Sequence, residues 1–199
     1  MPARQTIQIG HPALKAKNKP LRYGDSTKVE QLITDLRDTM RQNELVGIAA
    51  PQISENYTIF VTEPRETKTR SKDQSDEFRV YINPTIVEFS PEEVVIFEGC
   101  GSVLNGQLFG PVQRPKQITI EALDQNGKRF RLTCDGILAR VIQHEYDHLQ
   151  GVEFLEKVSD YKQMMIADYY IENVKNTPNH LAACHISIIQ HEFVKPKVV

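Results

Sequence analysis

Two histidines stand four residues apart in the segment QHEYDHLQG, residues 143–151, and a glutamate directly follows the first. If this segment is helical, His144 and His148 lie one turn apart on the same face and can bind one ion. Glu145 then lies close enough to exchange a proton with a water molecule at that ion. This HExxH pattern is typical of zinc hydrolases. The alternative is a polar turn on a helix surface, so the hypothesis requires a helix and a third ligand.

The residues before the motif predict the required helix. The stretch 134–151 contains no proline, Asp135 is a candidate N-cap, and Gly151 is a candidate left-handed stop. One helical stripe is formed by Ile137, Val141, His144 and His148. The metal is therefore expected beside an apolar wall. Arg140 flanks this stripe, and both an outward-pointing side chain and a role at the mouth of a pocket remain open for it.

Composition limits the class of protein that carries this motif. The chain has 199 residues, 40% of them hydrophobic, which suits one globular domain with its own core. Its 24 basic and 26 acidic residues give a net charge of −2, so neither nucleic acid nor membrane is expected as the main partner. No apolar run reaches roughly 18 residues, and the N-terminus lacks the apolar core of a secretory signal. We therefore expect a cytoplasmic protein with free cysteines.

The remaining periodicities predict the elements that must position the motif. Apolar residues at helical spacing predict an amphipathic helix over 27–44, and residues 159–175 also have a helical pattern. Short β-branched segments bounded by turns predict five strands, over 57–62, 78–89, 92–99, 116–123 and 128–134. Residues 124–127 read as a hairpin turn between the last two, and the polar residues 66–79 as a mobile surface loop. The expected fold class is α+β, with mixed or antiparallel sheets around a central helix that carries HExxH.

Two further stretches stand out. LVGIAAPQ, residues 45–52, combines small residues that permit close backbone approach with a proline and an amide side chain, Gln52. FEGCGSV, residues 97–103, is a strand that runs into a thiol, Cys100, flanked by two glycines. Taken singly, each stretch also has a purely structural interpretation. Residues 45–52 would be a loop packed through its small residues, and Cys100 would be a buried free cysteine.

Taken together and in this order, GIAAPQ, EGCGS and QHEYDHLQG resemble the three signature motifs of the peptide deformylases. These enzymes remove the formyl group from N-terminal formylmethionine. The likeness extends over about residues 5–158. It implies a single catalytic domain over residues 1–175, followed by a C-terminal extension of unknown role over residues 176–199. The implied partners are N-formylmethionyl nascent peptides.

The resemblance also implies a set of site residues. The implied metal ligands are Cys100, His144 and His148, with Glu145 as general acid and base. The implied oxyanion donors are the Gln52 amide and the Gly101 N–H. One thiolate and two imidazoles suit Zn(II), Fe(II), Co(II) or Ni(II), and affinity order alone does not choose among them. The resemblance favours Fe(II). Three protein ligands leave a fourth position open, as in catalytic rather than structural sites.

A pocket for the methionine side chain is the remaining implication. The expected substrate-binding residues are Gly47, Ile48, Ile96, Gly99, Ile137, Arg140 and Val141. Three positions depart from the usual family pattern. Leu45 replaces a glycine, Gly101 replaces a leucine, and Arg140 replaces an apolar residue.

Two rival functions and two questions of assembly stay open. A metallopeptidase that cuts internal bonds is the enzymatic rival, and a deformylase-like protein that binds formylated chain ends without turnover is the other. Residues 160–175 carry two lysines against three acidic residues, so docking on the ribosome through a basic helix is not expected. The sequence leaves the oligomeric state undetermined.

Overall fold

The computed structural model describes residues 3–22, 26–67 and 70–194. Within them the chain has an α+β fold, as predicted. The helices are α1 Ser26–Gln42, α2 Gly136–Leu149, α3 Ala167–Asn173 and α4 Pro178–Cys184. The strands are β1 Gly47–Ala49, β2 Ile59–Thr62, β3 Arg79–Phe89, β4 Glu93–Gly99, β5 Leu108–Pro115, β6 Ile118–Leu123, β7 Arg129–Cys134, β8 Met165–Ile166 and β9 Ile188–Phe193. In this described part, no helix is long and apolar enough to cross a membrane.

Two antiparallel sheets surround helix α2. The larger sheet has the strand order β1-β2-β3-β6-β7-β9, and the smaller has the order β4-β5-β8. The predicted hairpin turn at 124–127 joins β6 and β7, which pair from Ile118 opposite Cys134 to Leu123 opposite Arg129. The metal motif therefore lies on a helix held between two sheets.

The core explains why α2 is so firmly placed. Its side chains Leu138, Ala139 and Ile142 are almost completely buried, and they pack against large-sheet residues such as Tyr81 and Leu132. The two histidines of the motif lie on another face of α2. Burial of one fully apolar side chain contributes about 2 kcal/mol, so this packing fixes which face points to the sheet.

The N-terminal amphipathic helix is confirmed as α1. Its apolar residues Leu32, Leu36 and Met40 are buried against β1 and β2, in a cluster with Ile48 and Ile59. This contact holds the stretch LVGIAAPQ, which begins just after α1, against the rest of the molecule.

Strand β5 was not predicted from sequence. It contains Gly110, Pro111 and Pro115, residues that normally argue against a strand. It nevertheless pairs with the whole of β4, from Glu93 opposite Pro115 to Gly99 opposite Phe109. Tertiary pairing has overridden the local preference.

The predicted helix over 159–175 was wrong over its first half. Only Ala167–Asn173 is α-helical. Before it, Tyr161–Gln163 form a short 3-10 helix, and Met165 and Ile166 pair with Phe109 and Leu108 as strand β8. In the predicted loop 66–79, residues 72–74 form a 3-10 turn with Gln74 buried, and residues 68 and 69 lie outside the described part.

The residues after 175 add to the same fold. Strand β9 pairs with β7, with Phe193 opposite Phe130 and Ile188 opposite Cys134. Within one chain it extends the large sheet by one strand.

Candidate metal centre

The structure brings together three side chains that can hold a metal ion. Cys100 follows the end of β4, whereas His144 and His148 lie one turn apart on α2. One ligand atom from each residue lies within 4.8 Å of the other two, and all three side chains are buried. The Cys100 Sγ atom is 3.2 Å from the His148 Nε2 atom.

These distances and donors fit one divalent ion. Bonds of about 2.3 Å to sulfur and about 2.1 Å to nitrogen in tetrahedral geometry place the two donor atoms roughly 3.6 Å apart. Sulfur with two imidazoles is a donor set for first-row divalent metals. Beside the group, the buried Glu145 Oε2 atom has no hydrogen-bond partner among the described residues. A buried carboxylate oxygen of this kind requires a polar partner at the site.

A buried carboxylate orients the first histidine. The Nδ1 atom of His144 lies 2.9 Å from Glu98 Oε2, and since an ionised carboxylate only accepts, Nδ1 carries the proton. The ring's other nitrogen is then left for the ion. Although burial raises the pKa of Glu98, the Arg114 guanidinium and the hydrogen bond from His144 hold it well below its usual range. Arg114 donates to both Glu98 oxygens, at 2.6 and 3.0 Å.

Arg140 does not point outward. Of the two alternatives predicted for it, the outward-pointing side chain is therefore wrong. Its exposed fraction is 3%. Its guanidinium donates to Glu98 Oε1 at 2.8 Å, to the Val112 carbonyl at 2.8 Å and to the Val94 carbonyl at 2.7 Å. Three acceptors compensate the buried charge, as a buried arginine requires. Arg140 therefore ties α2 to the small sheet while bordering the cavity described below.

Glu145 is placed to handle protons. It is buried, and burial raises the pKa of its carboxyl to about 7. An ideal Cβ on Gly47 would lie 2.7 Å from Glu145 Oε1 and 2.5 Å from Val141 Cγ1. Glycine at position 47 is therefore required by the close approach of β1 to α2.

The Gln52 side chain is fixed at both ends. Its Oε1 atom accepts from the Ala49 N–H at 2.8 Å, which leaves its Nε2 atom to donate toward Cys100 Sγ at 3.5 Å and Ser102 Oγ at 3.3 Å. The amide N–H groups therefore face Cys100 and Ser102. Gly101, which directly follows Cys100, is buried, and its carbonyl accepts a hydrogen bond from Gln8 Nε2 at 2.9 Å.

A cavity of about 300 Å³ opens beside these residues. Of the expected substrate-binding residues, five line it: Gly47, Gly99, Ile137, Arg140 and Val141. Sequence reasoning missed the aromatic wall that Phe97, Phe109 and Tyr170 add, and the basic residues Arg70 and Lys175. The rings of Phe109 and Tyr170 stack at 4.1 Å.

Two expected pocket residues do not line this cavity. Ile48 is fully buried on the side of β1 that packs against α1, and Ile96 is buried while its neighbour Phe97 lines the cavity. Successive residues of a strand point to opposite faces. Phe97 lies two residues before Gly99 and therefore on the same face of the strand, so the sequence alone could have identified Phe97 instead of Ile96.

The fold and the centre together define a class of protein. A buried Cys-His-His group, a glutamate beside it and a partly apolar cavity are the parts of a metal-dependent hydrolase.

The comparisons with known proteins give the family. The polypeptide deformylase family model matches residues 3–164. The chain is 38% identical to the peptide deformylase of Christiangramia forsetii over 167 residues, which cover 80% of this chain and 84% of that protein. It is 36% identical to the peptide deformylase of Treponema pallidum, over 76% of this chain and 86% of that one.

Solved structures agree. A class I type b peptide deformylase from Acinetobacter baumannii, with Met-Ala-Ser bound, has a TM-score of 0.72 and 30% identity, covering 78% of this chain and 98% of that one. The peptide deformylase from Thermotoga maritima has a TM-score of 0.70 and 30% identity, covering 80% and 100%. The chain belongs to the polypeptide deformylase family.

Proposed function

We propose that this protein hydrolyses the formamide bond at the N-terminus of N-formylmethionyl nascent peptides and releases formate. Membership of the deformylase family supports this activity. The observation that carries it is the convergence of Cys100, His144 and His148 ligand atoms within 4.8 Å beside the buried Glu145.

The metal is proposed to be Fe(II), held by Cys100, His144 and His148. A divalent ion in this position supplies Lewis acidity and lowers the pKa of a bound water from about 15.7 to near 7. Zn(II), Ni(II) and Co(II) suit the same donors. Metal analysis of protein purified without oxygen distinguishes them, and a ferrous thiolate is expected to lose activity in air.

Proton transfer is assigned to Glu145. Its carboxylate accepts a proton from the attacking water and returns it to the amine nitrogen that leaves. Support comes from its position: Glu145 lies buried beside the metal ligands, and its Oε2 atom has no hydrogen-bond partner among the described residues, which leaves it to accept from a water molecule there.

The oxyanion that forms at the formyl oxygen is proposed to bind to two donors, the Gln52 amide and the Gly101 N–H. Support comes from the fixed orientation of Gln52, whose Oε1 accepts from the Ala49 N–H while its Nε2 faces the Cys100 thiol. Each such donor contributes about 3 kcal/mol to transition-state stabilisation.

The first side chain of the peptide is proposed to occupy the cavity between α2 and the aromatic wall. Ile137, Val141, Phe97 and Phe109 supply apolar surface there, which suits the unbranched thioether of methionine. The Acinetobacter baumannii relative has a structure with Met-Ala-Ser bound, which supports a short peptide that begins with methionine as the ligand.

Formate release from formyl-Met-Ala-Ser tests the proposal. We expect the wild-type protein to release formate and to leave unformylated Met-Ala-Ser intact. Glu145→Gln is expected to retain the metal and to lose nearly all turnover. Glu92→Gln, which changes an exposed glutamate, serves as the matched control.

Two outcomes would contradict the proposal. Cleavage within unformylated peptides would select a metallopeptidase. Binding of the formylated peptide with metal but without formate release would select a protein that does not turn over.

A further inference from the structure

The loop after Cys100 contains a glycine that the backbone does not require. Gly101 is absent from the described glycines with a positive φ angle, so its conformation suits any residue. An ideal Cβ at this position would lie 2.9 Å from Leu45 Cδ1, 3.2 Å from Leu45 Cδ2 and 3.6 Å from Thr6 Cγ2. The nearest neighbours are thus side-chain atoms, and the tightest belong to one residue. The Leu45 side chain occupies the space that a side chain on residue 101 would need.

Leu45 is held by its own backbone. Its N–H donates to the Met40 carbonyl at the end of α1 at 2.9 Å, and its carbonyl accepts from Arg65 at 3.0 Å. Its side chain also packs against the core under α1. A Cβ at position 101 must therefore displace either the leucine side chain from this packing or the Gly101 peptide from its place.

The two residues stand between two cavities. Both line the catalytic cavity, and both line a second cavity of about 280 Å³, which Thr6 also borders. Gln8 donates to the Gly101 carbonyl at 2.9 Å and accepts from the Asn105 N–H at 3.0 Å. Leu45 packs on Gly101 while Gln8 holds the same residue through its carbonyl.

We propose that Leu45 is a positioning residue for the reaction. Its side chain packs on Gly101 and holds the Gly101 N–H where the oxyanion forms. It also separates the catalytic cavity from the second cavity. This inference rests on the proposed function, since it assigns a use to the Gly101 N–H. It implies that the side chains of residues 45 and 101 share one space, which a leucine at either position can fill.

The test is a set of four variants: Leu45→Ala, Gly101→Ala, Leu45→Gly combined with Gly101→Leu, and Leu104→Ala. Leu104 is 61% exposed and follows in the same loop, so its truncation is the matched control. Formate release from formyl-Met-Ala-Ser gives kcat and KM for each, and metal analysis confirms equal loading.

Each single change at 45 or 101 is expected to lower kcat by about 10-fold or more, with a smaller change in KM, because an oxyanion donor acts mainly in the transition state. The exchange variant is expected to recover kcat to within about 3-fold of wild type, since coupled neighbours are not additive. The Leu104→Ala control is expected to match wild type.

Two results would overturn the inference while leaving the proposed function intact. One is an unchanged kcat in both single variants, and the other is an exchange variant as impaired as the singles. A wild-type protein that releases no formate would instead overturn the proposed function, and this inference with it.

Discussion

Replacement of Glu98 by glutamine tests how the structure holds its metal. Glu98 accepts hydrogen bonds from Arg114 at 2.6 and 3.0 Å, from Arg140 at 2.8 Å and from His144 at 2.9 Å. A glutamine keeps the shape but removes the charge. Its NH2 group must then face an Arg114 N–H together with either the His144 N–H or an Arg140 N–H.

The magnitude follows from these contacts. Two buried guanidinium groups lose their shared counter-charge, and breaking a buried ion pair in this way costs about 3–5 kcal/mol. His144 loses its charged acceptor and keeps a neutral amide oxygen at best, which lowers metal affinity by about 10- to 100-fold. Both effects arise from one substitution that leaves all three metal ligands in place.

Two assays measure the two effects. Urea unfolding of the metal-loaded protein gives the change in the free energy of unfolding, and competition with a chelator gives the metal affinity. Glu92→Gln, at an exposed glutamate just before β4, is the control and is expected to stay within about 1 kcal/mol of wild type. A Glu98→Gln protein that matches this control in both assays would refute the reasoning.

Three further predictions follow from other contacts. Arg140→Met is expected to lower the free energy of unfolding by about 2–5 kcal/mol, because the Val94 and Val112 carbonyls lose their donor. Urea unfolding measures this change, and a decrease below about 1 kcal/mol would contradict the prediction. Deletion of residues 176–199 removes α4 and β9 and is expected to cost at least about 2 kcal/mol, with an unchanged unfolding midpoint as the contrary result. Burial lowers the pKa of His180 to about 4, so the folded state binds fewer protons than the unfolded state and this contribution to stability is lost as pH falls from 6.5 towards 4. His180→Gln is expected to flatten that part of the pH dependence of unfolding, and an identical pH profile would contradict it.

Much of the fold was predictable because its signals are local. Residues 118–123 and 129–134 alternate on either side of a turn, and the pattern of α1 has the helical period. Strand β5 could not be recognised, because its glycine and prolines argue against a strand and only pairing with β4 forms one. Strand β8 likewise forms only through its pairing with β5, and it shortens the predicted C-terminal helix.

The candidate site was predictable where spacing along one element decides it. His144, Glu145 and His148 lie within one helix, and the resemblance supplied Cys100 from another element. The cavity wall depends on distant contacts instead. Phe109 lies on the unpredicted β5, and Tyr170 lies on α3 after the residues that form β8. The buried network around Arg140 likewise joins α2 to two strands of the small sheet, which no local pattern reveals.

The coordination of the metal is the most direct test of the central claim. X-ray absorption at the metal edge of the anaerobically purified protein reports the ligand atoms. We expect one sulfur at about 2.3 Å and two imidazole nitrogens at about 2.1 Å, with the sulfur shell lost in Cys100→Ser. A bound metal without a sulfur ligand, or a sulfur shell unchanged by Cys100→Ser, would contradict the assignment of Cys100, His144 and His148.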